Sequence, residues 1–434
     1  MKHLVSASMT LALLLQGQNG KSEEITQQEA KKDFITTELE SSPTPQAQRS
    51  LPRMMKITWS SAPFFPQGMQ DNDGGLIGSH LVMVGGFCHG IDNNWKPGKY
   101  PRGFLKKAWA MDVLHENEGW KELPDFPGSA RQEMYGVSLN NELYLWGGFN
   151  YTDPYTYMDG YKLSKQANLW VWKKLANLPR PYASGNAVII GSKIYLFGGM
   201  DYDSERYYVV TDRSRKINKY GSRLYAYDTK PDNPHWEELK GCPGTPRMMA
   251  GVAALNGKIY VIGGYSVDRG GTSHSVVDSW RYDSELDTWS RLRDLPVAVA
   301  GFGSGSIVYQ NRYLLLPTGY PYPTILNPDE TVRSSYGEPS KVDRSQWKQH
   351  PKLKGSTYSN HIWVYDTQKN LYGTATKLPY DDHGPATHII RNTVYLFPGE
   401  TAGFWYKKEY FGHAPELVLK GKIQLLDWDQ HNRQ

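Results

Sequence analysis

Six short apolar segments share one pattern, a strand-like run that ends at a glycine turn. They are "HLVMVGG" (80–86), "ELYLWGG" (142–148), "KIYLFGG" (193–199), "KIYVIGG" (258–264), "RYLLLPTG" (312–319) and "TVYLFPG" (393–399). The four Gly-Gly doublets begin at 85, 147, 198 and 263, so the spacing is 62, 51 and 65 residues. Such self-similarity predicts an array of like units rather than one continuous sheet or helical bundle.

Each unit contains four candidate strands. A strand with small residues precedes the apolar segment, as in "GVAALNGK" (251–258), and an alternating strand such as "RLYAYD" (223–228) follows a longer loop. The fourth strand carries Trp and ends in Leu-Pro, as in "WKKLANLP" (172–179). A period near 50 residues with a Gly-Gly doublet and a later aromatic residue resembles the kelch repeat. The fold class we predict is therefore all-β, a six-bladed kelch β-propeller.

The two ends of the chain complete each other in this prediction. The sixth unit has a third strand in "LVLKGKIQLLDW" (417–428) but no Trp/Leu-Pro strand after it. An unassigned segment of that type, "KITWSSAPFFP" (56–66), lies near the N-terminus. We expect this N-terminal strand to close the last blade, which gives one propeller domain over 56–434 and leaves no open sheet edge.

The N-terminal residues predict an exported protein. Residues 1–20 have Lys2 before a short apolar run, the form of a secretory signal peptide, and 21–55 read as a polar linker or tail. We expect a secreted or periplasmic location and no membrane span. The net charge of +5 comes from 49 basic and 44 acidic residues, a balance that does not indicate nucleic acid. Two cysteines without a metal-ligand spacing predict no metal site, and we expect no cofactor.

Loop positions indicate which end of the propeller carries a ligand site. Tight turns such as "NNE" and "GSK" join strands one and two at one end, whereas the long loops after the glycine turns lie at the other. This second end also collects the segments that enter each first strand. The long loops are 87–107, 149–160, 200–221, 265–276, 320–359 and 400–416, and they are rich in Phe, Tyr and Trp. Such rings suit the C–H faces of sugars, or they pack the loops against each other.

Three arginines and two loop residues are candidate substrate ligands. Arg131, Arg180 and Arg247 stand where chains enter their first strands, and converging guanidiniums could hold a carboxylate. The alternative is structural, with each arginine tying neighbouring blades through carbonyls or acids. Trp405 and His413 belong to the aromatic loop after the sixth glycine turn. Together these residues predict a carbohydrate partner, and an anionic one.

Glu400 is the strongest catalytic candidate. It follows "TVYLFPG" directly, where the other units place Phe87, Phe149, Met200 and Tyr265. An acid among aromatic and basic residues is the setting of a general base, although a carboxylate there could also accept loop amide hydrogens. His383 enters the same unit nearby, and it could share proton transfer or cap a loop.

These features together resemble the N-acetylneuraminate epimerases, the sialic acid mutarotases. The resemblance covers roughly 56–428 and rests on the kelch pattern and on "GETAG" after a strand. It implies that Glu400 is the proton acceptor in anomer interconversion and that neither a metal nor a redox cofactor is needed. The family tends to continue with a Pro-Gly-x-Arg segment, whereas this chain has "AGFWYKKEYFGHAP", with His413 where an arginine is expected.

Two other classes of function stay open at this point. Kelch propellers also serve as non-catalytic scaffolds that bind glycans or proteins, because a fold does not fix a function. A copper radical oxidase would need a Tyr–Cys crosslink, two histidines and a second tyrosine around the metal. The sequence contains Cys88 and many tyrosines but shows no convincing histidine pair.

Overall fold

The structure of the protein is a computed structural model. It describes residues 51–92, 96–204, 206–214, 216, 219–230, 234–267, 273–296, 299–319, 324–326, 332–334, 359–397, 399–401, 404–412 and 414–428. The chain divides into two compact units, 1–50 and 51–434. The predicted signal peptide and most of the predicted tail belong to the first unit and lie outside the described residues.

The described part of the second unit contains six antiparallel sheets of four main strands each, and we number them as blades 1 to 6. Blade 1 is Asp73–Ile77, His80–Val84, Ala108–Asp112 and Lys121–Leu123; blade 2 is Tyr135–Leu139, Glu142–Trp146, Gly160–Gln166 and Leu169–Leu175; blade 3 is Asn186–Ile190, Lys193–Phe197, Leu224–Asp228 and Trp236–Leu239. Blade 4 is Gly251–Leu255, Lys258–Ile262, Ser279–Asp283 and Thr288–Arg291; blade 5 is Val308–Tyr309, Tyr313–Pro317, Ile362–Asp366 and Leu371–Thr374; blade 6 is Ala386–Ile390, Thr393–Phe397, Leu419–Leu425 and Met55–Ser61.

Smaller elements lie in the connections between these strands. They are Met69–Gln70 with Phe87–Cys88 and Gly103–Phe104, Asp201–Tyr202 with Tyr207–Tyr208, Tyr265–Val267 with Ser273–Ser275, Thr324–Leu326 with Val332–Ser334, Asp382–His383 with Glu400–Thr401, Phe404–Tyr406 with Glu409–Phe411, and Gly305–Ser306, which pairs in parallel with Ala386–Ile390. The 3-10 helices are Glu116–Glu118 and Tyr220–Ser222. No helix in the described ranges is long and apolar enough to cross a membrane.

The N-terminal strand lies where the sequence places it. Met55–Ser61 pairs antiparallel with Leu419–Leu425 over seven residues, from Met55 opposite Leu425 to Ser61 opposite Leu419. The preceding residues also belong to the fold, because Met54 is fully buried and its N–H donates to the Thr374 carbonyl at 2.8 Å. The described structure therefore begins a few residues before the predicted boundary at Lys56.

The hydrophobic core is divided into clusters that each join two neighbouring blades. In the second strand of blade 1, Leu81 and Met83 pack with blade 6, whereas Val82 and Val84 pack with blade 2. The other clusters join blades 2 and 3, 3 and 4, 4 and 5, and 5 and 6. Each sheet thus buries both faces against neighbours, as the alternation of side chains along a strand allows. This cyclic packing is that of a β-propeller.

The fourth-strand tryptophans also connect neighbouring blades. The indole of Trp172 in blade 2 donates to the Pro124 carbonyl after the fourth strand of blade 1, at 3.0 Å. Trp289 donates to Lys240 at 2.7 Å, and Trp59 donates to Lys377 at 2.9 Å, in the same way. Each ring thus covers apolar surface while its N–H finds a carbonyl of the preceding blade.

The glycine doublets have a conformation that explains their recurrence. Both residues have positive φ in all four, for example 65° at Gly147 and 88° at Gly148. A Cβ at Gly147 would lie 2.2 Å from the Tyr182 carbonyl oxygen in the next blade. Glycine is therefore required both for the backbone conformation and for the close approach of two blades.

Candidate functional site

One residue from each blade contributes to a hydrogen-bonded ring around the propeller axis. All six residues of this axial ring precede a first strand and have a left-handed backbone; they are Asp71, Glu133, Ser184, Met249, Gly301 and Gly384, with φ between 52° and 76°. In the five residues from Glu133 to Gly384, each N–H donates to the carbonyl of the ring residue in the preceding blade, at 3.1, 3.1, 2.7, 3.1 and 2.8 Å. The ring holds the entry points of the first strands at fixed positions.

Just outside this ring, in blades 1, 2, 3, 4 and 6, the residue before the ring residue pairs with the residue after the glycine turn of the same blade. These pairs are Gln70 with Phe87, Gln132 with Phe149, Ala183 with Met200, Met248 with Tyr265, and His383 with Glu400. The prediction that Glu400 stands where other blades place Phe87, Phe149, Met200 and Tyr265 is therefore confirmed. Blade 6 places a carboxylate beside the axis at a position that blades 1 to 4 fill with apolar or aromatic residues.

Glu400 and His383 lie together in a buried setting. Glu400 is 1% exposed and His383 is 7% exposed. Burial lowers the pKa of His383, and the nearby charge of Glu400 acts in the opposite direction without reversing the shift. His383 is therefore a neutral imidazole at pH 7, a form that can accept or donate one proton.

Asp382 adds a second buried carboxyl next to this pair. Its Oδ1 accepts hydrogen bonds from the N–H groups of His383 at 2.7 Å and Gly399 at 3.0 Å. Burial raises its pKa well above the usual range, and the charges of Asp71 and Glu400 add to that shift. Acids from blades 6 and 1 therefore interact electrostatically across the mouth of the axis.

A cavity of about 30 Å³ lies against the axial ring and is lined by Asp71, Asp73, Glu133, Ser184 and Gly384 among others. This volume holds about two water molecules. On its far side the axis is crossed by side chains, because Ser304 Oγ donates to the Asn72 carbonyl at 3.2 Å and Asn186 Nδ2 donates to the Gly303 carbonyl at 3.3 Å. A sugar-sized ligand would therefore have to lie on the loop side of the ring, with the ring as the floor of its site.

Aromatic side chains from blades 1 to 3 form a wall beside this floor. The aromatic wall consists of Phe87, Phe104, Phe149, Tyr151, Tyr202 and Tyr207, with neighbouring centroids 4.7 to 6.4 Å apart. Tyr151 is 41% exposed. Burial chiefly raises the pKa of its hydroxyl, and the charges of Tyr202, Glu133, Asp71 and Glu400 raise it further. The Tyr151 hydroxyl therefore lies within electrostatic range of acids from blades 1, 2 and 6.

Arg131 and Arg247 have structural contacts with carbonyls and acids, as in the alternative that the sequence left open, but these partners lie in the same blade and not in a neighbouring one. Both are fully buried. Arg131 Nη1 donates to Asp159 at 2.6 Å and to the Gly147 carbonyl at 3.0 Å, and its guanidinium lies 3.7 Å from the centroid of Tyr157. Arg247 makes the corresponding bonds to Asp278 at 2.6 Å and to the Gly263 carbonyl at 3.0 Å. A substrate carboxylate would have to displace these partners, so we do not retain the two arginines as ligands.

Arg180 is not equivalent to the other two arginines, contrary to the sequence prediction. In the glycine doublets of blades 1, 2 and 3, the N–H of the second glycine donates to a carbonyl at the entry of the next blade. These carbonyls belong to Arg131, Tyr182 and Arg247, respectively. Tyr182 therefore holds the matching position in blade 3, and Arg180 lies two residues earlier. Its side chain is half-buried, and its charge acts on Tyr220.

The loop after Glu400 contains the two remaining predicted ligands, Trp405 and His413. The backbone of Trp405 pairs with Tyr410 in a short hairpin. His413 lies outside the described residues. Both stay predictions as substrate ligands. Within the described ranges, no group of three or more His, Cys, Asp and Glu side chains has the arrangement of a metal site. Cys88 and Cys242 are buried as free thiols in different clusters.

Sequence reasoning missed Asp71 and Glu133. Neither belongs to a motif, and the six ring residues share a backbone conformation rather than a residue type. The available signal was positional, because Glu133 follows Arg131 by two residues at the entry of a first strand, where the sequence already placed the ligand face.

The basin is the space on the loop side of the axial ring, beside the aromatic wall. Taken together, the cyclic blades, the axial ring and this basin define a β-propeller with a candidate small-molecule site at one end of its axis. The family model described as "KLHDC2/KLHL20/DRC7 Kelch-repeats domain" matches residues 75–319, more than half of the chain. The chain therefore belongs to the kelch-repeat family.

Several relatives share a name that concerns sugars. The chain is 26% identical over 375 residues to the "N-acetylneuraminate epimerase" of Pasteurella multocida (strain Pm70), covering 79% of this chain and 88% of that protein. It is 20% identical over 367 residues to the protein of the same name from Haemophilus influenzae (strain 86-028NP), with the same coverage. It is also 26% identical over 235 residues to a "Kelch domain-containing protein" of Vibrio cholerae serotype O1 (strain ATCC 39315 / El Tor Inaba N16961), covering 48% of this chain and 61% of that protein.

One solved structure supports the fold. The protein described as "Structure of YjhT" superposes with a TM-score of 0.56 at 17% sequence identity, covering 85% of this chain and all of that chain. At this identity the likeness concerns the fold alone.

Proposed function

We propose that this protein is a mutarotase, an epimerase that acts at the anomeric carbon and interconverts the anomers of an acidic sugar such as N-acetylneuraminate. The observation that carries the proposal is the position of Glu400, a buried carboxylate paired with His383 beside the axis, where blades 1 to 4 have Phe, Phe, Met and Tyr. Relatives named N-acetylneuraminate epimerase, similar over most of their length, support the same reading.

The arrangement of the basin suits a sugar. Phe104, Tyr151 and Tyr207 are the wall residues that are not fully buried, and their rings can pack against the C–H groups of a sugar. The ionisable groups described at the axial mouth are Asp71, Glu133, Asp382, Glu400 and His383, which suit hydroxyl groups rather than a carboxylate. We therefore place the anomeric hydroxyl toward the floor and a substrate carboxylate toward the loops.

The chemistry requires proton transfer at two oxygens. Glu400 takes the proton of the anomeric hydroxyl, the bond between the anomeric carbon and the ring oxygen breaks, a carbonyl forms, and the ring oxygen gains a proton. Rotation about the adjacent C–C bond and closure on the other face give the second anomer, with the proton returned from Glu400. General acid–base assistance of this kind contributes about 10² to 10⁴ in rate.

The direct test is catalysis by the wild-type protein. A freshly dissolved pure anomer of N-acetylneuraminate is followed by NMR with and without protein, and a panel of neutral and amino sugars is followed in parallel. We expect interconversion of the acidic sugar to be at least about 10²-fold faster with protein present. Binding of a sugar, seen as a thermal shift without acceleration of any anomer exchange, would instead favour the non-catalytic glycan-binding propeller.

A further inference from the structure

Opening a sugar ring needs a proton donor as well as a base. Glu400 can accept the anomeric proton, but the ring oxygen must gain a proton when its bond to the anomeric carbon breaks. His383 is buried on the same blade as Glu400, and the charge of Glu400 acts on its pKa. A donor on another blade would reach the ring oxygen of a sugar that bridges the floor.

We propose that Glu133 of blade 2 is the general acid of this site, with the carboxylate of Asp71 in blade 1 as its charged neighbour. The inference rests on the proposed function and adds a second catalytic residue to it. It follows from the position of Glu133 in the axial ring, at the cavity that the ring encloses, two blades away from Glu400.

The backbone of Glu133 is held rigidly in that position. Its N–H donates to the Asp71 carbonyl at 3.1 Å, and its own carbonyl accepts from Ser184 N–H at 3.1 Å. Its φ of 52° is unusual for a glutamate. A left-handed non-glycine residue that the surrounding structure enforces is a feature that clusters at functional sites. The carboxyl group also accepts a hydrogen bond from the Ser184 hydroxyl.

A polar atom beside Glu133 is available to accept a hydrogen bond from a ligand or a water molecule. Gln132 is fully buried, and its Nε2 lies 3.4 Å from Glu133 Oε1. Its Oε1 has no hydrogen-bond partner among the described residues. A buried acceptor without a partner is costly, so a donor such as a ligand hydroxyl or an ordered water is expected there. Asp382 Oδ2, beside Glu400, likewise has no hydrogen-bond partner among the described residues.

The charges around Glu133 keep its proton in place at neutral pH. Burial and the charge of Asp71, followed by that of Asp73, raise the pKa of Glu133 to about 8, although hydrogen bonds from Ser184 and Gln132 oppose the shift. The charge of ionised Glu133 in turn raises the pKa of the Tyr151 and Tyr207 hydroxyls. Glu133 thus keeps its proton to a higher pH than an exposed glutamate, as a neutral acid that can donate it.

A chain of hydrogen bonds leads from the surface to the Asp71 carboxylate. Arg102 Nη1 lies 3.2 Å from His89 Nδ1, His89 Nε2 lies 2.8 Å from Gln70 Oε1, and Gln70 Nε2 donates to Asp71 Oδ2 at 2.9 Å. The His89 tautomer with hydrogen on Nε2 satisfies all of these contacts. Donors then point inward from the guanidinium to the Asp71 carboxylate, which stabilises its negative charge.

The step balances with these two carboxyl groups. Glu400 accepts the proton of the anomeric hydroxyl, and the electrons of that O–H bond form the carbonyl. The electrons of the bond between the anomeric carbon and the ring oxygen go to the ring oxygen, which Glu133 protonates. Closure on the other carbonyl face reverses each transfer. Both residues return to their starting protonation states, so no other reactant is required.

The test compares pH–rate profiles of anomer exchange for wild type, Glu133→Gln, Asp71→Asn and the exposed control Glu118→Gln. In the wild type we expect the rate to fall above about pH 8 as Glu133 ionises. Glu133→Gln should lower the rate by about 10²-fold or more and abolish that fall. Asp71→Asn should move the fall to lower pH, because loss of the negative neighbour lowers the pKa of Glu133. Glu118→Gln should match the wild type.

The outcomes separate this inference from the proposed function. If the wild type accelerates exchange while Glu133→Gln keeps the wild-type rate and the alkaline fall, the inference is overturned and the mutarotase stands. If the wild-type protein accelerates the anomer exchange of no sugar, the inference and the proposed function are both contradicted. Thermal unfolding identifies a variant that fails to fold, and if Glu133→Gln is such a variant, an unchanged alkaline fall in Asp71→Asn overturns the inference.

Discussion

Arg131 and Arg247 show how one residue type at one position can suggest two different roles. Each guanidinium is completely buried and connects the entry of a first strand to an acid and a carbonyl of the same blade. For Asp278, burial acts to raise the pKa, but the charge and hydrogen bonds of Arg247 outweigh it and the pKa is lowered. The pair therefore stabilises the fold at neutral pH, and this contribution is lost as pH falls through the depressed pKa.

A pair of arginine variants tests this structural role. Arg131→Met leaves Asp159 without its main partner at a largely buried position, so we expect the free energy of unfolding to fall by about 3 kcal/mol. Arg180→Met removes a half-buried side chain outside the axial ring and should change it by less than about 0.5 kcal/mol. Chemical denaturation gives both values. An Arg131→Met protein that is as stable as the wild type but has lost sugar affinity would show that this arginine is a ligand.

The glycine turns and the axial ring act at the scale of the blade, and they differ in what the sequence reveals. The doublets were predictable, because their positive φ and the close approach of the next blade require glycine in four units. The ring was not predictable, because Asp, Glu, Ser, Met and Gly all adopt its left-handed backbone, so no residue type marks it. For the same reason Glu400 could be found as an exception in a repeated position, whereas Asp71 and Glu133 could not.

Two glycines separate the effect of the backbone from that of packing. Gly301 in the axial ring and Gly191 in a hairpin turn both have positive φ, 76° and 61°. A Cβ on Gly301 would lie 2.2 Å from His383 Nε2, whereas a Cβ on Gly191 would meet no atom within 4 Å. We expect Gly191→Ala to cost about 1 kcal/mol of stability. Gly301→Ala should cost at least about 1 kcal/mol more, because His383 must move.

The measurement is the free energy of unfolding of both variants, with the NMR signals of His383 followed in Gly301→Ala. Equal costs for the two substitutions would contradict the packing of His383 against the axial ring and weaken its placement beside Glu400.

At the scale of the whole molecule, the propeller brings together residues that are far apart in sequence. Glu400 comes from blade 6, Asp71 from blade 1 and Glu133 from blade 2, and the core clusters join blade 6 to blade 1 and blade 1 to blade 2. The repeat predicted the sheets and the pairing of the N-terminal strand, since both follow from strand patterns. Which side chains lie beside the axis depends on packing between blades, which cannot be read from the sequence.

The central claim is that the Glu400 carboxylate, held beside the axis, performs the chemistry. It is tested most directly by anomer exchange of N-acetylneuraminate in wild type and in Glu400→Gln, with sugar affinity measured in parallel. We predict that Glu400→Gln still binds the sugar within about threefold of the wild type while its exchange rate falls by about 10²-fold or more, toward that of the sugar alone. A Glu400→Gln protein that exchanges anomers as fast as the wild type would contradict the account.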